Sequence, residues 1–332
     1  MKTINLCFRV HQPVRFRKFG FFDIGYSDYY YDDYRNESII RRLSHDCYLA
    51  ANRIILDNIW KYKGKFKVAF SISGTAIYQF KKFAPDVIQS FKALSETGCV
   101  EFIGETWSHS MASIASKREF KKQVKVHSEE MKNLFGYKPV TFCNTEMIYS
   151  DEIGTMAAEM GYKTVLTEGS GHMLKWRSPN YVYSHPENRS LKLLLKNFRL
   201  SDDIAFRFSD FGWSGWPLTT KKYVSWLNEL PDNEDVVNIV MDYETFGEHQ
   251  KSSTGIFKFL DTLPSAVLNH SDFRFRTPSE VASAFDSVSS LQIPAPISCA
   301  DHEKDLSAWL GNELQLEAFE KLYALGEIVK DR

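Results

Sequence analysis

Brief runs of consecutive apolar residues alternate along the chain with longer segments whose apolar positions recur every three or four residues. Residues 4–10, 66–72, 99–103, 140–143, 164–167 and 237–241 are short and rich in Val, Ile and Phe, as expected for strands buried on both faces. Between them, residues 85–96 set Val87, Ile88, Phe91 and Leu94 on one helical stripe before Gly98. Residues 117–135 do the same with Phe120, Val124, His127, Met131 and Leu134. Gly136 then stands where a C-terminal cap belongs, with Pro139 beyond it. Ser150 is placed to cap a helix carrying Ile153, Met156, Ala157 and Met160, and Thr277-Pro278-Ser279-Glu280 reads as a capping box. Strand–helix alternation of this kind predicts an α/β protein built on a parallel sheet or (β/α) barrel. Residues 170–216 are less regular and are expected to hold large loops. Residues 293–297 (IPAPI) are expected to be a stiff connector. Residues 301–329 are expected to be helical, with Leu306, Trp309, Leu310, Leu314, Phe319, Leu322 and Tyr323 as the apolar set. The domain expectation is a catalytic barrel over 1–290, then a linker and the start of a C-terminal helical subdomain, incomplete at 291–332. No internal repeat is visible.

Composition narrows the classes. A hydrophobic content of 43% with 25% charged residues excludes disordered and fibrous chains. A net charge of -1 gives no electrostatic reason for a nucleic acid or an anionic membrane to bind, so a neutral substrate is expected. The 7 Trp, 16 Tyr and 25 Phe fit a bulky core, the reading that composition alone favours, or a groove of flat apolar faces suited to sugar rings and neutral ligands generally. Cys7, Cys47, Cys99, Cys143 and Cys299 are odd in number and scattered, which fits neither a disulfide framework nor a zinc site. With no signal-like run at the N-terminus and no stretch of membrane-spanning length, a cytoplasmic location is expected.

Ionisable residues cluster just after the strands. His11-Gln12-Pro13 follows the first, and Gly104-Glu105-Thr106-Trp107-Ser108-His109 follows the run at 99–103. Asn144-Thr145-Glu146 follows 140–143, and Asp242-Tyr243-Glu244 follows 237–241. In a (β/α) barrel the loops after the strand C-termini build the active site, so convergence at four equivalent places points to catalysis. Each residue also has a plainer reading. His11 alone could be a buried histidine satisfied by backbone, Glu105 a helix cap and Glu244 structural. Asp242, abutting Val-Asn-Ile-Val-Met, is the least apt to be idle, because a carboxylate beside a buried run needs a partner or a task.

Together these segments resemble the first four signature regions of glycoside hydrolase family 57. The four are His11-Gln12-Pro13, residues 104–109, Asn144-Thr145-Glu146-Met147-Ile148-Tyr149 and Asp242-Tyr243-Glu244-Thr245-Phe246-Gly247. The similarity runs from residue 3 to at least 282, and residues 306–312 look like the C-terminal region of amylase-like members. The resemblance implies a seven-stranded (β/α) barrel with a helical subdomain near its mouth. It implies a retaining enzyme acting on α-glucan or maltooligosaccharide without metal or cofactor, of α-amylase or 4-α-glucanotransferase type. The family nucleophile falls on Glu146 and its acid/base on Asp242, while His11 and His109 match positions that hold the sugar beside the scissile bond. Gln12, Glu105 and Glu244 are expected to line the same site. Trp107, Tyr149, Trp213 and Trp216 are candidates for stacking on sugar rings, the last two on a lip formed by residues 211–217. Cys299-Ala300-Asp301 departs from the pattern where an aromatic is expected.

Two rival readings remain. A metal-dependent polysaccharide deacetylase needs an Asp and two His at helical spacing, and none of the nine His lies four residues from another. A catalytically silent glucan-binding protein would keep the cleft, but Glu146 and Asp242 argue against that loss.

Overall fold

The computed structural model describes residues 2–330. Among them nine strands share one sheet: β1 Lys2–Val10, β2 Val68–Ile72, β3 Val100–Ile103, β4 Thr141–Phe142, β5 Thr164–Glu168, β6 Val182–Ser184, β7 Lys192–Lys196, β8 Val236–Asp242 and β9 Phe273–Phe275. Seven run parallel in the order β3-β2-β1-β8-β7-β5-β4. Gly104 draws the two ends together: its N–H donates to Thr141 O at 2.8 Å and its carbonyl accepts from Cys143 N–H at 2.9 Å. A Cβ at this position would lie 2.3 Å from the Tyr162 hydroxyl, so glycine is what permits the approach. The result is a nearly closed barrel of seven parallel strands, the architecture that the alternation and the resemblance predict. β6 adds antiparallel to β7, and β9 pairs with the start of β1.

Strand parity sorts the side chains. On β1, Ile4, Leu6, Phe8 and Val10 belong to the large core shared with the helices, while Cys7 belongs to the cluster inside the barrel. Cys143, Leu166, Leu194 and Val240 from β5, β7, β8 and the end of β4 join Cys7 there. Successive strand residues point to opposite faces. Asn5 and Arg9 therefore share the inward face with Cys7, as Asn238 and Asp242 do with Val240. The buried Asn5 amide accordingly donates to Asn238 Oδ1 at 3.2 Å, satisfying both groups inside the barrel.

Gly136 and Ser150 cap the outer helices as the sequence indicates, and Ser116 supplies a cap that the sequence reading did not name. Ser116 Oγ accepts from Glu119 N–H at the start of helix Lys117–Phe135, and Gly136 ends it at φ +87°. Ser150 Oγ accepts from Ile153 N–H ahead of helix Asp151–Glu159. Helices Asp33–Leu43 and Ala50–Lys61 are joined through one π-helical turn, Ser44–Leu49. Gly247, at φ +111°, backs onto that turn; a Cβ there would lie 2.0 Å from Asp46 O.

Two expectations change. Residues 170–216 hold β6, β7 and helix Phe198–Ala205 rather than loops alone. The three leucines of Lys-Leu-Leu-Leu-Lys are too short a run, flanked by charge, to announce a barrel strand. Residues 301–329 are not one helix: a short helix Ser307–Leu310 precedes helix Glu313–Lys330. The 293–297 stretch lies along the barrel. Ile297 bridges Tyr149 in antiparallel fashion, and Ile293 N–H meets the Asp151 carboxylate at 3.0 Å. No helix among the described residues is long and apolar enough to cross a membrane.

Candidate active site

The inward positions at the C-terminal rim are where strand geometry delivers polar groups. β1 ends in Arg9, then His11; β8 ends in Asp242, then Glu244. Glu105 follows β3, Glu146 follows β4, and β5 and β7 end in Glu168 and Lys196.

Arg9 and Asp242 are register partners on adjacent strands. Both Nε (3.0 Å) and Nη2 (2.7 Å) of Arg9 reach the same oxygen, Asp242 Oδ1. The other terminal nitrogen, Nη1, donates to Cys299 Sγ at 3.2 Å and stands 3.7 Å from Glu146 Oε2. One guanidinium thus holds both carboxylates. Burial would lower the Arg9 pKa, but the carboxylates of Asp242 and then Glu146 outweigh it and keep the cation charged.

Glu146 sits in a turn at φ +49°, ψ +27°, and Met147 follows at φ +54°. Left-handed geometry is costly for residues with a Cβ and persists where surroundings enforce it. Here Cys299 N–H (2.9 Å) and Ser298 Oγ (3.0 Å) both donate to the Glu146 carbonyl, so the C-terminal stretch braces the turn. Burial pushes the Glu146 carboxyl up, yet the hydrogen bond from His109 and the Arg9 charge prevail and hold it far below the usual range. It is an ionised group, partly open to solvent.

His109, also left-handed at φ +49°, links two acids: Nδ1 lies 3.0 Å from Glu105 Oε2 and Nε2 lies 3.2 Å from Glu146 Oε1. Burial opposes its charge, but these two partners raise its pKa to about 9, so it is a cation donating at both nitrogens. Glu105 is buried and accepts Ser71 Oγ–H at 2.6 Å. Despite burial, the His109 hydrogen bond keeps its pKa lowered. His11 stacks on His109 with ring centroids 4.0 Å apart. Burial, then the His109 charge, depress His11 to about 4, so it is neutral and bonds Ser73 Oγ at 2.8 Å.

Glu244 lies beneath Asp242 and accepts the Tyr48 hydroxyl at 2.6 Å from the π-helical turn. Burial and the Asp242 charge push it up to about 7. Gln12 reaches its Oε1 at 3.5 Å, the limit of a hydrogen bond. Trp107 rests flat against Gly74, where a Cβ would come within 2.1 Å of the ring, and it lines a groove with His11 and His109.

His11, Gln12, Glu105, Trp107, His109, Glu146, Asp242 and Glu244 are therefore brought together. Three expected stacking residues are placed differently. Tyr149 is only 1% exposed and packs in the core, so it offers no face to a sugar. Trp213 packs edge-on to Trp226 at 5.8 Å beside the outer helices. Trp216 is partly exposed and lies against Phe211, with no contact to the carboxylates. The sequence reading missed Arg9, Ser71, Glu168 and Lys196, and marked Cys299 only as a departure from the family pattern. Arg9 carried a signal: a charge inside an apolar strand must find buried partners. Among the described residues, no three His, Cys, Asp or Glu side chains are grouped to hold a metal ion.

A parallel barrel whose rim presents an ionised glutamate and an aspartate on a shared guanidinium, flanked by imidazoles and an indole, is the frame of an enzyme that opens sugar acetals. The chain belongs to glycosyl hydrolase family 57, whose model matches residues 5–294. It is 41% identical over 336 residues to a Methanocaldococcus jannaschii protein named "Putative alpha-amylase", covering 99% of this chain and 70% of that one. Its fold is similar to the crystal structure of 4-alpha-glucanotransferase from Thermococcus litoralis (TM-score 0.71, 17% identity), covering 99% of this chain and 47% of that one. It is also similar to a branching enzyme of the family from Thermococcus kodakaraensis (TM-score 0.71, 12% identity), covering 95% of this chain and 76% of that one.

Proposed function

We propose that this chain cleaves or transfers α-glucan with retention, using Glu146 as nucleophile and Asp242 as acid/base. The observation that carries the proposal is the shared Arg9, which keeps the two carboxylates adjacent while leaving them chemically unequal. Retaining glycosidases hold their carboxyl groups about 5–5.5 Å apart, one ionised to attack and one protonated to donate. Glu146, stabilised as an anion by His109 and Arg9, suits attack at the anomeric carbon. Asp242 receives both Arg9 donors on Oδ1, and Oδ2 takes no hydrogen bond from the described residues. Oδ2 is therefore the oxygen that can carry a proton while Arg9 stays on its partner.

In the first half-reaction the bond from C1 to the glycosidic oxygen breaks and a Glu146–C1 ester bond forms, with the Asp242 proton passing to the departing oxygen. In the second, Asp242 removes a proton from water, or from the hydroxyl of another glucan, as that oxygen displaces Glu146. His11, uncharged and bonded to Ser73 through Nδ1, keeps Nε2 for a sugar hydroxyl, whereas both nitrogens of His109 are spent on Glu105 and Glu146, so His109 acts by holding the nucleophile. The relatives named as an alpha-amylase, a 4-alpha-glucanotransferase and a branching enzyme support α-glucan as the substrate class.

Azide separates the roles. Glu146→Ala should be nearly inert on α-glucosides, and azide should attack it directly to give the inverted β product. Asp242→Ala should keep turnover on an activated aryl α-glucoside, with azide accelerating the second step and giving the retained α product. Proton NMR of the adducts reads both. A β-anomer as the wild type's first product, or near-wild-type turnover in both variants, would overturn the assignment.

A further inference from the structure

Between the first barrel strand and helix Asp33–Leu43 the chain makes an arm that the catalytic argument does not use. Its base is fastened. Phe16 and Tyr31 form an antiparallel bridge, with Arg17 N–H donating to Tyr30 O at 3.0 Å and Asp32 N–H to Arg15 O at 2.9 Å. The buried Asn36 then locks Arg15 from both sides, accepting its N–H at 2.9 Å and donating to its carbonyl at 3.0 Å. Beyond this base, Phe22 and Tyr26 are 88% and 90% exposed, and Phe21 beside them is nearly as open. A cluster of large rings left in water on a fastened arm marks a binding surface.

Position and chemistry say what it binds. Phe16 and Tyr31, stacked with centroids 5.6 Å apart, line one groove with Tyr78, Trp107, His11 and His109. The groove runs without a break from the imidazoles at the reaction centre to the base of the arm. The rings of the arm stand among the charges and hydroxyls of Arg17, Lys18, Asp23, Ser27 and Asp28, and Ile24 is the one large aliphatic side chain exposed among them. A protein-binding face would present a contiguous apolar core. Rings set among hydrogen-bonding groups instead match a glucose unit, which offers flat C–H faces ringed by hydroxyls.

We infer that the 16–31 arm is a second carbohydrate-binding surface, holding the outer sugars of a long α-glucan whose reacting bond lies at Glu146. This rests on the α-glucan reading above and specifies the substrate as a polymer rather than a short maltooligosaccharide. The arm adds no chemistry. It raises the local concentration of chain ends at the groove, so its effect falls on polymer binding and not on the bond-breaking step.

Affinity electrophoresis tests it. The wild-type chain should be retarded in gels containing soluble glycogen. The triple variant Phe21→Ala, Phe22→Ala, Tyr26→Ala should show a dissociation constant raised about tenfold, as expected for losing three aromatic contacts. A companion triple, Phe21→Tyr, Phe22→Tyr, Tyr26→Phe, keeps the rings and should be retarded like wild type, which controls for folding. Equal retardation of wild type and alanine triple, or no retardation of the wild type, overturns the inference. So does a wild-type dimer that the alanine triple converts to monomer while glycogen retention stays unchanged, since the arm would then bind a second copy. Retention does not depend on turnover. Failure to release products from maltoheptaose would therefore count against the Glu146 and Asp242 assignment and leave the result on the arm standing.

Discussion

Arg9 and Asp242 occupy paired positions on neighbouring barrel strands, and the guanidinium of one lies 2.7 Å from the carboxylate of the other. The same cation reaches toward Glu146 at 3.7 Å, so one residue of the first strand is shared by both acids.

Removing that cation has a signed consequence. In Arg9→Met, Glu146 loses one of the two cations that lower its pKa, keeping only His109, and no guanidinium stands between it and Asp242. The nucleophile must be ionised, so the acid limb of the kcat/KM profile should move to higher pH. The rate at neutral pH should fall about 10²-fold or more, equivalent to roughly 3 kcal/mol of lost transition-state stabilisation. A pH series on an aryl α-glucoside checks both. An acid limb that stays in place would show that Arg9 is not what keeps Glu146 charged.

His109 should make stability pH-dependent in the opposite sense to a paired carboxylate. Its folded pKa, raised to about 9, exceeds the unfolded value, so the native state binds the extra proton more tightly. That contribution is complete below about pH 6.5 and lost as pH rises through about 9. His109→Gln should therefore be less stable than wild type at pH 6, by an amount on the order of 2 kcal/mol. The gap should narrow steadily toward pH 9. Urea denaturation at several pH values measures it, and a constant gap would contradict the charge assignment.

Glu244 predicts a gain. Its folded pKa of about 7 lies above the unfolded value because burial and Asp242 disfavour its charge. Between about pH 4.5 and 7 rising pH therefore costs the native state stability. Glu244→Gln keeps the shape and the acceptor for Tyr48 but cannot ionise. It should melt above wild type at pH 8, with the difference shrinking toward pH 5. Equal melting temperatures at both pH values would mean that the carboxyl is not strained by its surroundings.

The two tryptophans after helix Phe198–Ala205 should behave differently from each other. Trp213 packs on Trp226 and the outer core, so Trp213→Ala should destabilise by roughly 2–3 kcal/mol. KM on a short substrate should then be unchanged in the folded fraction. Trp216, exposed against Phe211, should lose far less stability on the same change. Chemical denaturation curves beside Michaelis kinetics separate these, and a KM effect without destabilisation in Trp213→Ala would restore it to a sugar-stacking role.

What the sequence determined by itself is the set of local signals. Apolar runs of four to seven residues marked most barrel strands, and Gly136 and Ser150 fixed helix ends through a left-handed turn or a hydrogen bond that only local chain geometry requires. The polar residues directly after strands, including Glu146 and Asp242, were legible because a barrel always presents that edge. Tertiary structure decided the rest. β7 is three leucines between lysines, and only its neighbours make it a barrel strand, since strand pairing is non-local. Tyr149 reads like a sugar platform in its motif, but Ile297, far along the chain, folds across it and buries it. Arg9 was visible as a misplaced charge, yet its partners come from residues 137, 233 and 290 positions away. Alternation along a strand says which way a side chain points. Which charges it meets there depends on how the barrel closes, and closure is a property of all seven strands at once.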